Sequence, residues 1–395
     1  MPRPFARERI LRRTLSVLLG IVLGLGIGEI AARLAGVRFR PHLRNRVYFA
    51  EPDPILGWRN RAGLNGPYGG DEFLTHVTIN PAGQRGPHHP IERTPGRVRI
   101  AVLGDSQAWG DGVADDEVFA TRLDGDGVEV LNFAALGYGT DQELLSFEHV
   151  AAGYRPDVLV VAIFVGNDFS DNLSTGTFQY PKPHYEVAED GSLRLEGVPV
   201  ESPTWLHGLV EVHRFLMRHS ALLNAIAAAT SGTREQQDYD PPQVRIWDSF
   251  YEREPSEHDR RGFAMTVRLL REVVARARAA GIEPVLLLLP ESWQVAVAQR
   301  PHWREQLRAQ SADWRRPQKV IRQAFAGEDV VVIDALPSLA RAARGDRPDA
   351  TPTYYPGWRH LNARGHAVVG DLLEHRLGLR ERRSERRSYV AGAPP

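Results

Sequence analysis

Four short polar segments of the 395-residue sequence contain residues that could act together in acyl transfer. In the first, RIAVLGDSQAWGDGV (99–113), an apolar run ends at Leu103 and Ser106 follows after Gly-Asp. A serine in this place either caps the next helix or serves as a nucleophile. As a nucleophile it needs a base that accepts its proton. Of the 14 histidines, His360 is the best placed base, because it precedes the last predicted helix.

Two further segments offer hydrogen-bond donors for the oxyanion that forms when a serine attacks an ester. The segment NFAALGYGTDQE (132–143) contains Gly137, where the missing side chain lets the backbone N–H approach a ligand closely. The segment VGND (165–168) contains Asn167, whose amide is a second donor, and the N–H of Ser106 is a third. Each residue alone has an ordinary structural interpretation. Their combination, in this order, indicates acyl transfer.

The elements that must bring these segments together are strands that alternate with helices. Runs rich in Val, Leu and Ile occupy residues 98–103, 128–133, 158–164, 282–289 and 330–333. Unbroken apolar strands separated by helical patterns predict a parallel sheet that is covered on both faces. We therefore predict an α/β fold, a three-layer α/β/α domain of about five parallel strands with a flavodoxin-like arrangement. The polar segments should meet at the carboxyl edge of that sheet, where such folds bind ligands.

Taken together, the four segments resemble the sequence blocks of the SGNH, or GDSL-like, hydrolase superfamily. LGDSQAWGDGV resembles the first block, NFAALGYGTDQE the second, VGNDFSDN the third and HLNARGH the last. The resemblance implies that Ser106 is the nucleophile and His360 the base, and that Gly137, Asn167 and the Ser106 N–H form the oxyanion hole. GWRNRAG and INPAGQRG also resemble the lead-in of membrane-anchored bacterial members. The resemblance covers roughly residues 50–378.

One position departs from the family pattern. Members usually have an aspartate two or three residues before the histidine, where this chain has Trp358 and Gly357. Three interpretations stay open: a Ser–His dyad with a backbone carbonyl on the imidazole, an acid from elsewhere, or a degenerate site. Asp334, at the end of the last predicted strand, is the nearest candidate for a substitute acid, and a strand-end turn residue is its alternative role.

The amino-acid composition argues against several other classes of function. The 49 basic and 49 acidic side chains balance, which gives no reason to expect a nucleic-acid partner. The chain has no cysteine, so disulfides, thiolate nucleophiles and Cys-ligated zinc are excluded. Asp105, Asp168 and Asp171 could suggest a metal, but no His–carboxylate spacing supports one. We predict no metal and no cofactor.

The N-terminus predicts an anchor in the cytoplasmic membrane. Five arginines precede TLSVLLGIVLGLGIG (14–28), and the apolar run is long enough to span a bilayer if it continues to Ala35. We predict a basic cytoplasmic tail over 1–13 and a transmembrane signal anchor over 14–36, with the rest of the chain outside. A cleaved signal peptide is one alternative, although Arg33 spoils the obvious cleavage site. A soluble core helix is another, opposed by the arginines.

The rest of the chain divides into three predicted parts. Residues 37–96, rich in Pro, Gly and Asn, are predicted as an irregular collar or linker. The hydrolase-like domain covers 97–378 and contains an insertion over 172–255, interpreted as a lid or as decoration without function. Residues 379–395 are predicted as a disordered tail.

The sequence thus predicts a membrane-anchored serine esterase outside the cytoplasm, periplasmic or at the cell surface. It would hydrolyse O-acyl esters of a small molecule or a polysaccharide through an acyl-Ser106 intermediate. An O-acyltransferase or deacetylase acting on an envelope polysaccharide would use the same intermediate. A non-catalytic carbohydrate-binding protein is a further alternative, which the missing aspartate favours and the intact nucleophile and oxyanion set oppose.

Overall fold

A computed structural model describes residues 4–37, 49–69, 72–125, 127–177, 180–201, 204–230, 249–309, 311–343 and 352–379. These residues form two compact units. The first unit contains helices α1 (Pro4–Leu34), α6 (Thr204–His219) and α7 (Ala221–Thr230). The second unit contains the other described elements. The predicted disordered tail lies, from residue 380 onward, outside the described residues.

The second unit is built on a five-stranded parallel sheet. Its strands are β5 (Val98–Gly104), β6 (Val128–Asn132), β7 (Val158–Phe164), β12 (Glu283–Leu289) and β13 (Val331–Asp334). They lie in the order β13-β12-β7-β5-β6, with every neighbouring pair parallel. Numbered along the chain, this is the 2-1-3-4-5 order of flavodoxin-like folds, in which the connection reverses between the first and third strands. The predicted fold class is confirmed.

Successive apolar side chains of the strands enter two separate cores, one on each face of the sheet. On one face Leu103 and Leu288 pack with helices α4 (Thr140–His149) and α8 (Glu257–Ala279). On the other face lie their chain neighbours Val102 and Leu287, which pack with α3 (Phe119–Arg122), α12 (Leu336–Ala343) and α13 (Ala363–Arg376). The sheet is therefore the middle of three layers, and its carboxyl edge is left for loops.

Shorter elements complete the second unit. Antiparallel pairs are formed by β1 (Ala50–Asp53) with β2 (Gly57–Asn60), β3 (Asn65–Gly69) with β4 (Leu74–Thr78), β8 (Gly176–Thr177) with β9 (Tyr180–Pro181), and β10 (His184–Val187) with β11 (Leu193–Glu196). The remaining helices are α2 (Ser106–Trp109), α5 (Asp168–Asp171), α9 (Ser292–Gln299), α10 (Pro301–Ala309) and α11 (Arg316–Ala324). The described part of the predicted collar supplies β1 to β4.

The predicted insertion over 172–255 is divided between the two units. Its strands β8 to β11 belong to the second unit, whereas α6 and α7 belong to the first, together with α1. The helical part of the insertion consists of two helices, which meet at Ser220. The Ser220 hydroxyl accepts the N–H of Leu223, so it caps α7 as serine commonly does and separates it from α6.

Helix α1 has the length and composition of a membrane span between Arg12 and Leu34. Only 6% of the residues in an 18-residue apolar stretch of this segment are buried by other parts of the chain. The helix begins at Pro4, so the described part of the basic N-terminal segment is helical as well. A signal sequence has the same features, and the helix alone does not establish topology.

Candidate active site

Ser106 is the first residue of α2 and follows β5 directly. The helix cap is not Ser106 but Asp105, whose Oδ1 accepts the N–H of Gln107 at 2.9 Å. Gly104 allows the tight turn into α2, because a Cβ there would lie 2.5 Å from the Cβ of Ala108. Capping therefore does not explain the serine. Its hydroxyl is left for another role at the carboxyl edge of the sheet.

His360 approaches Ser106 from the loop before α13. Its Nε2 lies 2.9 Å from the Oγ of Ser106. Its Nδ1 lies 2.9 Å from the backbone carbonyl of Trp358, and a carbonyl can only accept, so Nδ1 must be the protonated nitrogen. Nε2 then has a free lone pair and accepts the hydroxyl proton of Ser106. This is the tautomer that a general base needs.

The side chain of Gln107 fixes the loop on both sides of His360. Its Oε1 accepts the N–H of Leu361 at 3.1 Å, and its Nε2 donates to the carbonyl of Arg359 at 3.4 Å. Arg359 has a left-handed backbone with φ of 59°, which costs a non-glycine residue about 1–2 kcal/mol. The two bonds hold this strained residue in place and connect the base to the helix of the nucleophile.

A second anchor for the same loop is Glu72, from the segment before β4. Its carboxylate accepts the N–H of Gly357 at 3.0 Å and the N–H of Trp358 at 2.5 Å. These two residues occupy the positions where the family pattern has its aspartate. Glu72 acts on their backbone and not on the imidazole, so it positions the loop without replacing the acid.

The structure does not bring Asp334 to the imidazole. Its Oδ2 lies 2.7 Å from a guanidinium nitrogen of Arg315, and its Oδ1 accepts the N–H of Leu336 at 3.0 Å. These contacts are those of a residue that ends β13 and begins α12. As a substitute acid Asp334 is not supported by the geometry, because both carboxylate oxygens already have partners elsewhere.

The carboxylate beside the imidazole is instead Asp111, two residues after α2. Its Oδ2 lies 3.7 Å from Nε2 of His360 and has no hydrogen-bond partner among the described residues. Its Oδ1 accepts the hydroxyl of Tyr68 at 2.5 Å, and the side chain is fully buried. A carboxylate at this distance is close enough to attract a positive charge on the ring.

Two of the predicted oxyanion donors lie after strands next to β5. Asn167 follows β7, and the order of the sheet reverses between β5 and β7, which is where such sheets form a binding crevice. The Nδ2 of Asn167 donates one hydrogen to Oδ2 of Asp171 at 2.8 Å, and a second N–H remains on the same nitrogen. Gly137 follows β6 in a turn with φ of 75°, a conformation that favours glycine.

A group of acidic side chains, most of them fully buried, surrounds the N-cap Asp105. The other members are the fully buried Asp141, Glu143 and Asp168 and the half-buried Asp171. Lys182 lies between β9 and β10 of the insertion and is buried among these carboxyl groups. Its Nζ lies 2.7 Å from Oδ2 of Asp141. Its ammonium also donates to the backbone carbonyl of Asp171 at 2.7 Å. One cation therefore faces several carboxyl groups.

Most of these carboxyl groups bind protons more tightly than usual. Burial raises the pKa of Glu143 well above its ordinary value, and the nearby Asp105 and Asp141 raise it further. Burial, with Glu143 next in importance, does the same to the pKa of Asp168. Burial raises the pKa of Asp171 to about 7 against the opposing charge of Lys182. Among the described residues no group of His, Asp and Glu side chains could hold a metal ion.

Residues of the collar support the nucleophile. The fully buried Arg85 donates to the backbone carbonyls of Trp109 at 2.8 Å and of Gly110 and Val113 at 2.5 Å, and it pairs with Asp115 at 3.0 Å. Helix ends expose carbonyls without intrahelical partners, and Arg85 satisfies those at the end of α2. Arg85, a residue of the collar, thus fixes the C-terminal end of the short helix that presents Ser106.

The collar also holds the loop of Gly137. The indole N–H of Trp58 donates to the carbonyl of Leu136 at 3.0 Å. The amide of Asn60 donates to the carbonyl of Ala134 at 2.9 Å, and its Oδ1 accepts the indole N–H of Trp109 at 3.1 Å. Sequence reasoning identified none of these supporting residues. The one signal for them was that GWRNRAG and INPAGQRG, which contain Trp58, Asn60 and Arg85, resemble a family lead-in.

No protein-family model matches the chain, and no curated protein sequence matches it. Solved structures do resemble it. A GDSL-like lipase from Bacteroides thetaiotaomicron is 12% identical, with a TM-score of 0.33 over 71% of this chain and 87% of the lipase. A catalytic mutant of an acetylxylan esterase from Geobacillus stearothermophilus is 12% identical, with a TM-score of 0.38 over 72% of this chain and 95% of the esterase. These values are too low to support an argument about activity, which depends on the geometry of the site.

Proposed function

We propose that the chain is a serine esterase of the SGNH type, anchored in the cytoplasmic membrane with its second unit outside, that hydrolyses O-acyl esters. The observation that supports this most strongly is the 2.9 Å contact between Ser106 Oγ and His360 Nε2, with Nδ1 fixed on a carbonyl. A serine that only caps a helix needs no base. A paired base of the correct tautomer is what an acyl transfer enzyme requires.

In the first step, Ser106 Oγ attacks the carbonyl carbon of the ester while its proton moves to Nε2 of His360. The carbonyl oxygen becomes an oxyanion, for which the N–H groups of Ser106 and Gly137 and the second amide hydrogen of Asn167 are the proposed donors. The imidazole is now positively charged. Its charge is stabilised by the Trp358 carbonyl at Nδ1 and by the Asp111 carboxylate near Nε2.

In the second step, the tetrahedral intermediate expels the alcohol, which takes its proton from His360 and leaves an acyl group on Ser106. A water molecule then attacks this acyl group, and His360 accepts one of its protons. The second tetrahedral intermediate collapses, the carboxylic acid leaves, and the proton returns to Ser106 Oγ. In the complete cycle, one ester and one water are consumed, and one carboxylic acid and one alcohol are released.

The experiment that tests this proposal measures hydrolysis of p-nitrophenyl acetate by Ser106→Ala and His360→Ala. Each should lose on the order of 10³-fold or more in kcat, and the double variant should lose no more than the worse single one, since the two residues act as a unit. The melting temperature should be almost unchanged. Ser192→Ala, at an exposed turn of the β10–β11 hairpin, is the matched control and should keep full activity. Wild-type turnover by Ser106→Ala would disprove the mechanism.

A further inference from the structure

Helix α6 in the first unit has a row of exposed apolar side chains. Leu209, Val212, Phe215 and Leu216 are between 44% and 62% exposed. Residues three, six and seven positions apart lie on one side of a helix, so the four side chains form a single apolar face. Full burial of side chains of this kind is worth about 1.5–3 kcal/mol each, and this face therefore favours a partner.

The helix next to it, α7, is fixed to α1 through Glu29. The carboxylate of Glu29 accepts the hydroxyl of Ser220 at 2.8 Å and the N–H groups of Ala221 and Leu222 at 2.9 Å each. These are donors of the first turn of α7, which have no partners within their own helix. Glu29 thus supplies the N-terminal cap of α7 from a different helix, almost 200 residues away along the chain.

Two more contacts fix the α6–α7 hairpin at the same level of α1. Arg33 donates to the carbonyl of His219, at the end of α6, at 2.8 Å. Gly28 faces Leu222, and a Cβ at Gly28 would lie 3.1 Å from a methyl group of that leucine. A small residue lets two helices approach closely, as at helix contacts in membranes. The hairpin is therefore held over the last two turns of α1.

This level is the outer end of the proposed membrane span. The candidate span covers Arg12–Leu34, and Glu29 lies about 8 Å from its end at 1.5 Å per residue. A carboxylate at this depth is costly unless it has partners. Glu29 has them in the first turn of α7, in Ser220 and in Arg33 of its own helix, whose Nε lies 2.8 Å away. The hairpin therefore lies where the polar and apolar parts of a bilayer meet, and helices with one apolar face bind in that region.

We propose that the α6–α7 hairpin lies in the outer interface of the bilayer that α1 crosses. Its partner is the lipid surface, and the apolar face of Leu209, Val212, Phe215 and Leu216 inserts among the acyl chains near the headgroups. The proposal depends on the membrane anchor within the proposed function, but not on esterase activity. It assigns the helical part of the 172–255 insertion to membrane binding, in place of its interpretation as a substrate lid.

The absence of cysteine from the chain makes a direct test practical. Single variants Leu209→Cys, Leu216→Cys and Glu211→Cys carry an environment-sensitive fluorophore on full-length protein in phosphatidylethanolamine–phosphatidylglycerol vesicles, some of whose lipids bear a quencher just below the headgroup. Labels at 209 and 216 should emit at shorter wavelength and be quenched several-fold more than the label at 211, which lies on a different side of the same helix and is the control. Leu23→Cys reports on the middle of the candidate span.

Each other outcome contradicts the proposal in a recognisable way. Labels at 209 and 216 that behave like the label at 211, with 23 buried in lipid, would leave the anchor and disprove the hairpin assignment. Labels shielded from water but not quenched by lipid would show that protein covers the face, either a second copy or another part of the chain. A label at 23 exposed to water would disprove the anchor and the hairpin together. Activity dependent on Ser106 is unaffected in all cases.

A second variant tests the link between Glu29 and the hairpin. Glu29→Leu removes both acceptor oxygens from the first turn of α7. With the fluorophore at 216, quenching by lipid should fall at least two-fold, because the hairpin is no longer fixed at the level of the interface. The label at 23 should stay as deep as before. Unchanged quenching at 216 would show that the Glu29 cap does not position the hairpin.

Discussion

At the scale of single residues, the proposed mechanism replaces the missing triad aspartate with two different groups. The Trp358 carbonyl fixes the orientation and tautomer of His360, which is the geometric part of the acid's role. The Asp111 carboxylate, 3.7 Å from Nε2, supplies the negative charge. In a Ser-His-Asp triad one carboxylate does both, holding the ring and stabilising the imidazolium. Here the two tasks are divided between the two sides of the ring.

This division predicts the effect of Asp111→Asn. The change keeps the shape of the side chain but removes the charge that stabilises the imidazolium in the transition state. We expect kcat to fall roughly 10- to 100-fold, the order of one lost electrostatic interaction in a buried site, with KM little changed. Steady-state hydrolysis of p-nitrophenyl acetate measures this. Asp334→Asn is the matched control, since its carboxylate pairs with Arg315, and it should keep near-normal activity. The reverse result would identify Asp334 as the acid.

A second prediction at this scale concerns Asn167. Its amide nitrogen is held by Asp171 on one hydrogen, and the other hydrogen is the proposed oxyanion donor. Replacement by alanine should lower kcat roughly 10²–10³-fold, the loss expected for one oxyanion donor. The reaction rate on a small acyl ester and the melting temperature should be measured together. A loss of less than two-fold would show that Asn167 has no part in the oxyanion hole.

At the scale of elements, the strands and the main helices could be predicted because their signals are local. Runs such as 158–164 are apolar without interruption, and the sheet follows from their alternation with helices. Ser106, Asn167 and His360 could be predicted because each follows or precedes such an element. Glu72 and Asp111 could not, because they act through polar contacts with residues about 285 and 250 positions away, and no local pattern encodes such pairs.

The short helix α5, between β7 and the insertion, gives a prediction about pH. The pKa of Asp171 is about 7 in the folded chain against an ordinary value of 3.8, so the folded state binds this proton more tightly. Stability should therefore fall as pH rises from about 4 to 7. Asp171→Asn removes this titration, so the stability of the variant relative to wild type should increase over that range, by a few kcal/mol at about 1.4 kcal/mol per pKa unit.

The measurement is urea unfolding of both proteins at pH 4, 5.5 and 7. Asp141, Glu143 and Asp168 also have raised pKa values, and the charge of Asp171 contributes to that of Asp168. Replacing Asp171 therefore also eases the ionisation of Asp168, which changes the difference in the same direction. A difference in unfolding free energy that stays constant between pH 4 and 7 would show that Asp171 ionises normally in the fold.

At the scale of the whole molecule, the predicted topology is a cytoplasmic N-terminus and an exported second unit. The arginines before α1 favour retention of that end in the cytoplasm. Alkaline phosphatase, which is active only outside the cytoplasm, should be active when fused after Leu379. A cytoplasmic reporter at the same position should be inactive. The opposite pair of results would show that the second unit is not exported.

The most direct measurement of the central claim, that Ser106 is an activated nucleophile, is labelling with a fluorophosphonate followed by mass spectrometry of the peptides. Such probes form a covalent bond only with a serine whose hydroxyl is activated by a base. Wild-type protein should acquire one phosphonyl group, on the peptide that contains Ser106, and His360→Ala should react on the order of 10³-fold more slowly. Ser192→Ala should react like wild type. A folded wild-type protein that remains unlabelled, or one labelled at a different serine, would contradict the account.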